Sequence, residues 1–269
     1  MGKDKPTGDE PTMILVGALP WSIHNQAKTV AVIGFGAGVT SHTLLSIPTI
    51  ARVDTIEIEP AMVEGAKGFG ERIANVFTEP RSHLHIEDAK TYFTNYQKKY
   101  DLIISEPSNP WVSRVSGLFS QEFYQLIRNQ LNEKGLFVQW FHIYQLNMNL
   151  VASVIKAISS QFVDYTIYFS SRKDILIVAS QEKINEPTPA IFEFPEIAKE
   201  LAYIGVKNQQ DLLLRRLGSK VVLDPLFNSY PIAANSDYFP ILDLGAVRTH
   251  YLNSSANELI DLYRVTVSD

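Results

Sequence analysis

Three glycines fall within five residues, Gly34-Phe35-Gly36-Ala37-Gly38, where an apolar strand-like run ends and a helical one begins. Backbone at such a junction must turn tightly and can approach a ligand closely, which is the chemistry of a nucleoside-binding loop. The spacing is G-x-G-x-G, and Thr40 stands where a further glycine would complete G-x-G-x-x-G. A pyrophosphate-bearing dinucleotide uses that glycine for close helix packing, so an adenosine sulfonium such as S-adenosylmethionine suits this loop better.

Acidic residues recur at the ends of the next apolar runs. Glu57, roughly 20 residues on, can accept both hydroxyls of a ribose, and Glu59 stands behind it as a helix-start charge before Pro60. Asp88 either caps the following helix or accepts a hydrogen bond from an adenine amino group. The densest polar stretch, Tyr100-Asp101-Leu102-Ile103-Ile104-Ser105-Glu106-Pro107-Ser108-Asn109-Pro110-Trp111, places Glu106, Ser108 and Asn109 after an apolar core. A carboxylate there can orient an amine and take its proton as nitrogen attacks the carbon next to a sulfonium. Asp101 precedes the apolar core and is structural, whereas Trp111 and residues 112–119 could wall or cover the site. His142, just past the fifth apolar run, is a further candidate. None of the six histidines has a companion at metal-ligand spacing, so no metal is expected. No serine sits in a G-x-S-x-G elbow, which removes an α/β-hydrolase.

The elements that must position these residues alternate. Strand-length runs at 29–35, 53–58, 84–86, 101–105, 135–140, 165–169 and 175–179 are separated by helical segments at 40–46, 61–68, 89–96, 121–131 and 147–161. This is the pattern of a parallel sheet with crossover helices. Only residues 170–174 separate the last two strands, so they form a hairpin. The expectation is an α/β, Rossmann-like, seven-stranded, mostly parallel sheet with one antiparallel edge strand over 29–180. An N-terminal arm, 1–28, precedes it, loose over the polar residues 1–12, and a mainly helical C-terminal extension, 181–269, follows it. Whether that extension forms a lid stays open.

Composition sets the outer bounds. The 269 residues are 45% hydrophobic and 20% charged, with no cysteine, which removes disulfides, thiol nucleophiles and Cys-ligated zinc. Lys and Arg number 24 against 29 Asp and Glu, a net charge of −5, so a nucleic-acid partner has no support and a cationic one is mildly favoured. The apolar stretch 13–21 falls far short of the roughly 20 residues that span a bilayer, and Asp9 and Glu10 ahead of it carry the wrong charge for a signal peptide. A soluble, cytoplasmic protein is expected, with room for the chain to be the soluble part of a larger one.

Taken together, these motifs resemble the spermidine/spermine synthase (polyamine aminopropyltransferase) family, a branch of the class I methyltransferase fold. Residues 30–38 match its glycine loop, Ile56-Glu57-Ile58-Glu59-Pro60 its V-E-I-D-P stretch, Glu87-Asp88-Ala89 its G-D-A step and 100–110 its catalytic loop. Asn235-Ser236-Asp237 with Pro240 is similar to an N-T-D-D-x-P segment in divergent members. The resemblance implies a donor, decarboxylated S-adenosylmethionine or S-adenosylmethionine itself, and a small amine acceptor; a homodimer stays open. It implies Gly34, Gly36, Gly38, Glu57 and Asp88 around the nucleoside, Glu106 as base or amine anchor, and Ser108, Asn109 and Trp111 beside the acceptor. The departures concern charge. Ala37 replaces the Asp that helps hold the donor's amino group, Asn109 replaces an Asp that helps hold the diamine, and the family's small N-terminal β-domain is missing. A dication needs paired carboxylates to offset its desolvation, so these losses weaken a diamine reading. They leave open a methyltransferase, or a non-catalytic nucleoside-binding module.

Overall fold

The computed structural model describes residues 8–109, 115–251 and 256–268. The run Thr29–Ile33, rich in β-branched residues, forms β1, an inner strand of a sheet whose inner strands are buried on both faces, as a parallel arrangement under helices requires. The remaining strands are β2 (Arg52–Glu57), β3 (Ser82–Ile86), β4 (Tyr100–Ser105), β5 (Leu131–His142), β6 (Asp164–Phe169), β7 (Asp174–Ser180) and β8 (Arg216–Ser219). Their order is β3-β2-β1-β4-β5-β7-β6-β8. Strands β1 to β5 pair in parallel, whereas β7 runs antiparallel to both β5 and β6.

The α/β class and the mostly parallel sheet agree with the sequence reading; two details differ. The reversed strand β7 is not at the edge but threads between β5 and β6, because a tight hairpin places β7 beside β6 while its other edge completes the exposed edge of β5. The described residues also form an eighth strand, β8, antiparallel to β6 at the sheet's edge. Its four residues, Arg216-Leu217-Gly218-Ser219, carry too little alternation to mark a strand within an extension expected to be mainly helical, and the helix before it stops at Leu213.

The helices are α1 (Glu10–Ile23), α2 (Val39–Leu45), α3 (Pro60–Ala66), α4 (Ala74–Thr78), α5 (Ala89–Asn95), α6 (Gln121–Arg128), α7 (Met148–Gln161), α8 (Pro195–Tyr203), α9 (Gln209–Leu213), α10 (Lys220–Ser229), α11 (Ile241–Tyr251) and α12 (Asn257–Ser268). One apolar layer joins α1 to α4, α8 and α9 to Val30, Val32, Leu102, Ile104 and Val138 of the sheet. The other joins α5, α6, α7, α10 and α11 to Ala31, Ile33, Ile103, Phe137 and Ile177. Residues beyond 180 thus contribute to both layers.

Helix α1 corrects the expectation of a loose arm: residues 10–12, assigned to it, form the helix's first turn, and residues 14–23 are buried. A helix enclosed on all sides needs apolar residues all round and shows no amphipathic period, so its sequence reads as an apolar run without a helical signature. No helix among the described residues is long and apolar enough to cross a membrane.

Candidate functional site

The chain leaves β1 toward β2 and β3 on one side and returns to β4 on the other. The carboxyl ends of β1 and β4 therefore meet at a topological switch point, where open α/β sheets hold ligands. Gly34 donates its N–H to Ile56 O at 2.8 Å and Glu106 donates its own to Ile33 O at 2.9 Å. The two residues are the last tied into the ladder before each loop departs. A Cβ on Gly34 would lie 2.7 Å from the Glu106 carbonyl oxygen, and its φ is +93°, so only glycine lets the two loops come this close. Gly36 and Gly38 also have positive φ, and Gly38 forms the left-handed N-cap of α2. The three glycines thus lie together as the sequence implied.

Glu57 ends β2 against this loop. Its Oε2 accepts from the Phe35 N–H and its Oε1 from the Glu59 N–H, both at 2.8 Å; each oxygen retains a second acceptor position. Glu59 caps α3 by accepting from Ala61 N. A cleft of about 440 Å³ opens between the glycine loop and α3, lined by Gly36, Ala37, Glu59, Met62 and Phe69 among others. Glu59, read from sequence as standing behind Glu57, is the one that borders the cleft. Asp88 caps α5, its Oδ1 accepting from the N–H and Oγ1 of Thr91, and no described residue bonds its Oδ2. Two apolar side chains missed by the sequence reading stand on the rim between these acids, Ile58 at 62% and Ile86 at 50% exposed. An isoleucine left that open at a strand end offers a flat surface to a heterocycle. The available signal was an apolar residue next to an acid at each strand–loop junction, Ile58 before Glu59 and Ile86 before Glu87.

Glu106 lies on the same face of the sheet as α2. Thr40, at the start of that helix, donates to its Oε2 at 2.6 Å and also approaches Met13 O at 3.2 Å. Burial, only partly countered by the Thr40 hydrogen bond and reinforced by the negative charge of Glu57, pushes the Glu106 carboxyl up to about 8. It has no cation beside it among the described residues. Further along the same loop Ser108 is exposed, and Asn109 Oδ1 accepts from the Tyr144 hydroxyl at 2.8 Å. Trp111 lies outside the described residues, as do 112–114 of the stretch expected to cover the site. The 3-10 turn at Val115–Phe119 that follows is held by Asn235, whose Nδ2 donates to Phe119 O while Ser236 bonds Glu122 and Asp237 pairs with Lys90. The Asn235-Ser236-Asp237 segment therefore anchors the chain leading out of the Glu106 loop.

A family model for the spermine/spermidine synthase domain matches residues 13–172. The chain belongs to the spermine/spermidine synthase family. Curated relatives include the polyamine aminopropyltransferase of Alkaliphilus metalliredigens, 34% identical over 120 residues, 45% of this chain and 42% of that protein. The polyamine aminopropyltransferase of Desulforudis audaxviator is 26% identical over 148 residues, 55% of this chain and 54% of that protein. The chain spans about half the length of the curated relatives it matches. Its fold is similar to a spermidine synthase solved in complex with the transition state analogue AdoDATO (TM-score 0.62, 20% identity, covering 81% of this chain and 75% of that one). It is also similar to human methyltransferase-like protein 13 in complex with SAH (TM-score 0.50, 20% identity, 74% and 92% covered). Within the family frame, Ala37 lines the cleft without a charge and Asn109 is engaged by Tyr144.

Proposed function

We propose that this chain is an adenosyl-sulfonium-dependent transferase that alkylates an amine, with decarboxylated S-adenosylmethionine as donor in the spermidine-synthase manner. The observation that carries this reading is Glu106: a desolvated carboxylate at the switch point, pushed up to about 8, beside a glycine loop and with no cation beside it among the described residues. A sulfonium supplies the missing positive charge and draws Glu106 back to its ionised form. In this reading Gly34, Gly36 and Gly38 shape the loop, Glu57 uses its spare acceptor positions on the ribose, and the free Oδ2 of Asp88 takes the adenine amino group, with Ile58 and Ile86 against the ring. Glu106 holds the amine in line, Ser108 and Asn109 border the acceptor, and alignment of nitrogen, carbon and sulfur supplies most of the rate because a sulfonium is already a good leaving group.

Methyl transfer from S-adenosylmethionine is the second reading, favoured by Ala37, which leaves the cleft without the carboxylate that would hold the amino group of the decarboxylated donor. Thermal shift with methylthioadenosine, S-adenosylmethionine, its decarboxylated form and NAD tests both. Stabilisation by the adenosyl sulfonium compounds and not by NAD is expected, and mass spectrometry of products from an amine panel then separates aminopropyl from methyl transfer. No stabilisation by any adenosyl compound would sink the proposal, while binding without product from any amine points to a nucleoside-binding module.

A further inference from the structure

His142, the last residue of β5, donates from Nδ1 to Asp174 Oδ1 at 2.5 Å. The two residues face each other across the β5–β7 ladder, and both are buried. Asp174 also accepts from Trp140 Nε1 at 3.1 Å and from Ser171 Oγ at 2.7 Å. Burial works to raise the Asp174 carboxyl, but the hydrogen bonds from His142, Ser171 and Trp140 hold it below its ordinary value. An ionised carboxylate only accepts, so the Nδ1 position carries a proton, and it is Nε2 that can exchange one. No described residue bonds Nε2. The one fully buried polar side-chain atom without a partner among the described residues is Trp21 Nε1, so Nε2 keeps some accessible surface on an otherwise buried ring.

The His142 ring and Glu106 share one face of the sheet. Ile104 of β4 is in register with Val138 of β5, so two residues on, Glu106 stands beside Trp140. His142 follows on the same face, about 7 Å further along the strand direction. Past the end of the ladder the two segments stay joined by the Tyr144–Asn109 hydrogen bond, and the His142 ring packs between Trp140 and Tyr144 at centroid distances of 5.2 and 5.3 Å. Consecutive residues of α1 bridge the same gap. Met13 O meets Thr40, the partner of Glu106, while Thr12 Oγ1 donates to Ser170 in the hairpin that carries Asp174.

We propose that the His142–Asp174 pair is the proton acceptor for the amine, with Glu106 as the group that holds the positive charge; the proposal rests on the transferase reading above. The acceptor enters as an ammonium and gives one proton to Nε2, and Asp174 stabilises the imidazolium. The freed lone pair attacks the carbon bonded to the sulfonium, the carbon–sulfur bond breaks, and its electron pair stays on sulfur as a neutral thioether. The product nitrogen carries the positive charge and His142 releases its proton to solvent. Asp174 lies beyond the segment matched by the family model. Among the described residues the charged and titratable groups near the ring include Asp174 on β7, Glu106 after β4, Lys173 in the hairpin, Tyr144 after β5, and Asp9 at the start of α1; burial, Asp174 and Asp9 raise Tyr144.

The test uses the full chain labelled with nitrogen-15 histidine and saturated with methylthioadenosine, to which propylamine or 1,4-diaminobutane is added. The His142 Nε2 resonance, assigned by its loss in His142→Gln, is expected to shift with at least one amine; no shift with either overturns the proposal. In turnover, His142→Gln is expected to lower kcat about a hundredfold or more and to abolish the acid limb of the kcat pH profile, read in the donor complex where the sulfonium keeps Glu106 ionised, with methylthioadenosine affinity kept. Asp174→Asn moves that limb to lower pH, and serves together with the wild-type spectra should His142→Gln fail to fold. A variant that is slower but keeps the wild-type limb makes the pair merely structural and overturns the proposal. Failure of methylthioadenosine and S-adenosylmethionine to stabilise the wild type overturns the transferase reading and this role with it. Stabilisation without an amine response overturns this role alone.

Discussion

Asp54 and Glu106 are carboxylates on the two strands that flank β1, and their surroundings drive them in opposite directions. Asp54, in the body of β2, is fully buried and bonded by the Arg52 guanidinium through two nitrogens, by His85 at 2.6 Å and by the Tyr100 hydroxyl at 3.1 Å. Burial alone would raise it; Arg52, His85 and Lys98 bring it down to about 2. Glu106, one residue past β4, has a threonine for a partner and a second carboxylate nearby, and rises to about 8. Within the sheet the protein completes the charge with its own cations, as a buried ion requires. At the sheet's carboxyl edge Glu106 has no cation beside it among the described residues, and in the proposed function a ligand completes the charge, as perturbed pKa values at functional sites allow.

The contrast can be broken by exchange of consequences. Glu106→Ala is expected to abolish turnover, by roughly 10²- to 10⁴-fold, with nucleoside affinity kept; unchanged turnover refutes its role in the site. Gly34→Ala forces a Cβ against the Glu106 carbonyl at positive φ and should cost about 3 kcal/mol in denaturant unfolding, with nucleoside binding weakened. A silent Gly34→Ala would mean that the two loops do not meet as closely as the site requires. Asp54→Asn should behave in reverse to Glu106→Ala, losing about 2–3 kcal/mol because buried donors lose their counter-charge while Arg52 and His85 stay partly solvated, with kcat of the folded protein unchanged.

The smallest effect is the most diagnostic. Glu106 has a folded value above its ordinary 4.5, so the ligand-free folded protein holds an extra proton between about pH 4.5 and 8 and loses stability as pH rises through that window. Glu106→Gln escapes this loss. Its melting temperature should exceed that of the wild type by about 2–6 °C at pH 9 and match it at pH 4. Asp54 has the opposite sign: its contribution is complete above its ordinary 3.8 and is lost as pH falls toward 2. Identical melting profiles for Glu106→Gln and wild type across pH 4–9 would remove the contrast.

Much of this arrangement was legible in the chain. Runs such as Thr29–Ile33 and Tyr100–Ser105 announce buried parallel strands by β-branched and apolar continuity, and a glycine loop or a carboxylate at the end of such a run falls at the sheet's carboxyl edge by connectivity alone. Asp88 shows the limit: its position was readable, and the structure adds that one oxygen is taken by the cap and the other left over. Helix α1 escaped because enclosure on every side erases the helical period, and β8 because its four residues become a strand only by pairing with β6.

Sequence by itself determined the family, the α/β class and which residues stand at the strand ends, since those follow from local apolar periodicity and the order of the elements. Tertiary structure alone decided the rest. It placed β7 inside the sheet, and thereby brought Asp174 to His142, 32 residues away along the chain. It laid α1 across the hairpin and Thr40, and among the described residues set no cation beside Glu106 while giving Asp54 several. Protonation and partnership depend on what surrounds a side chain in three dimensions, and no spacing along the chain specifies that.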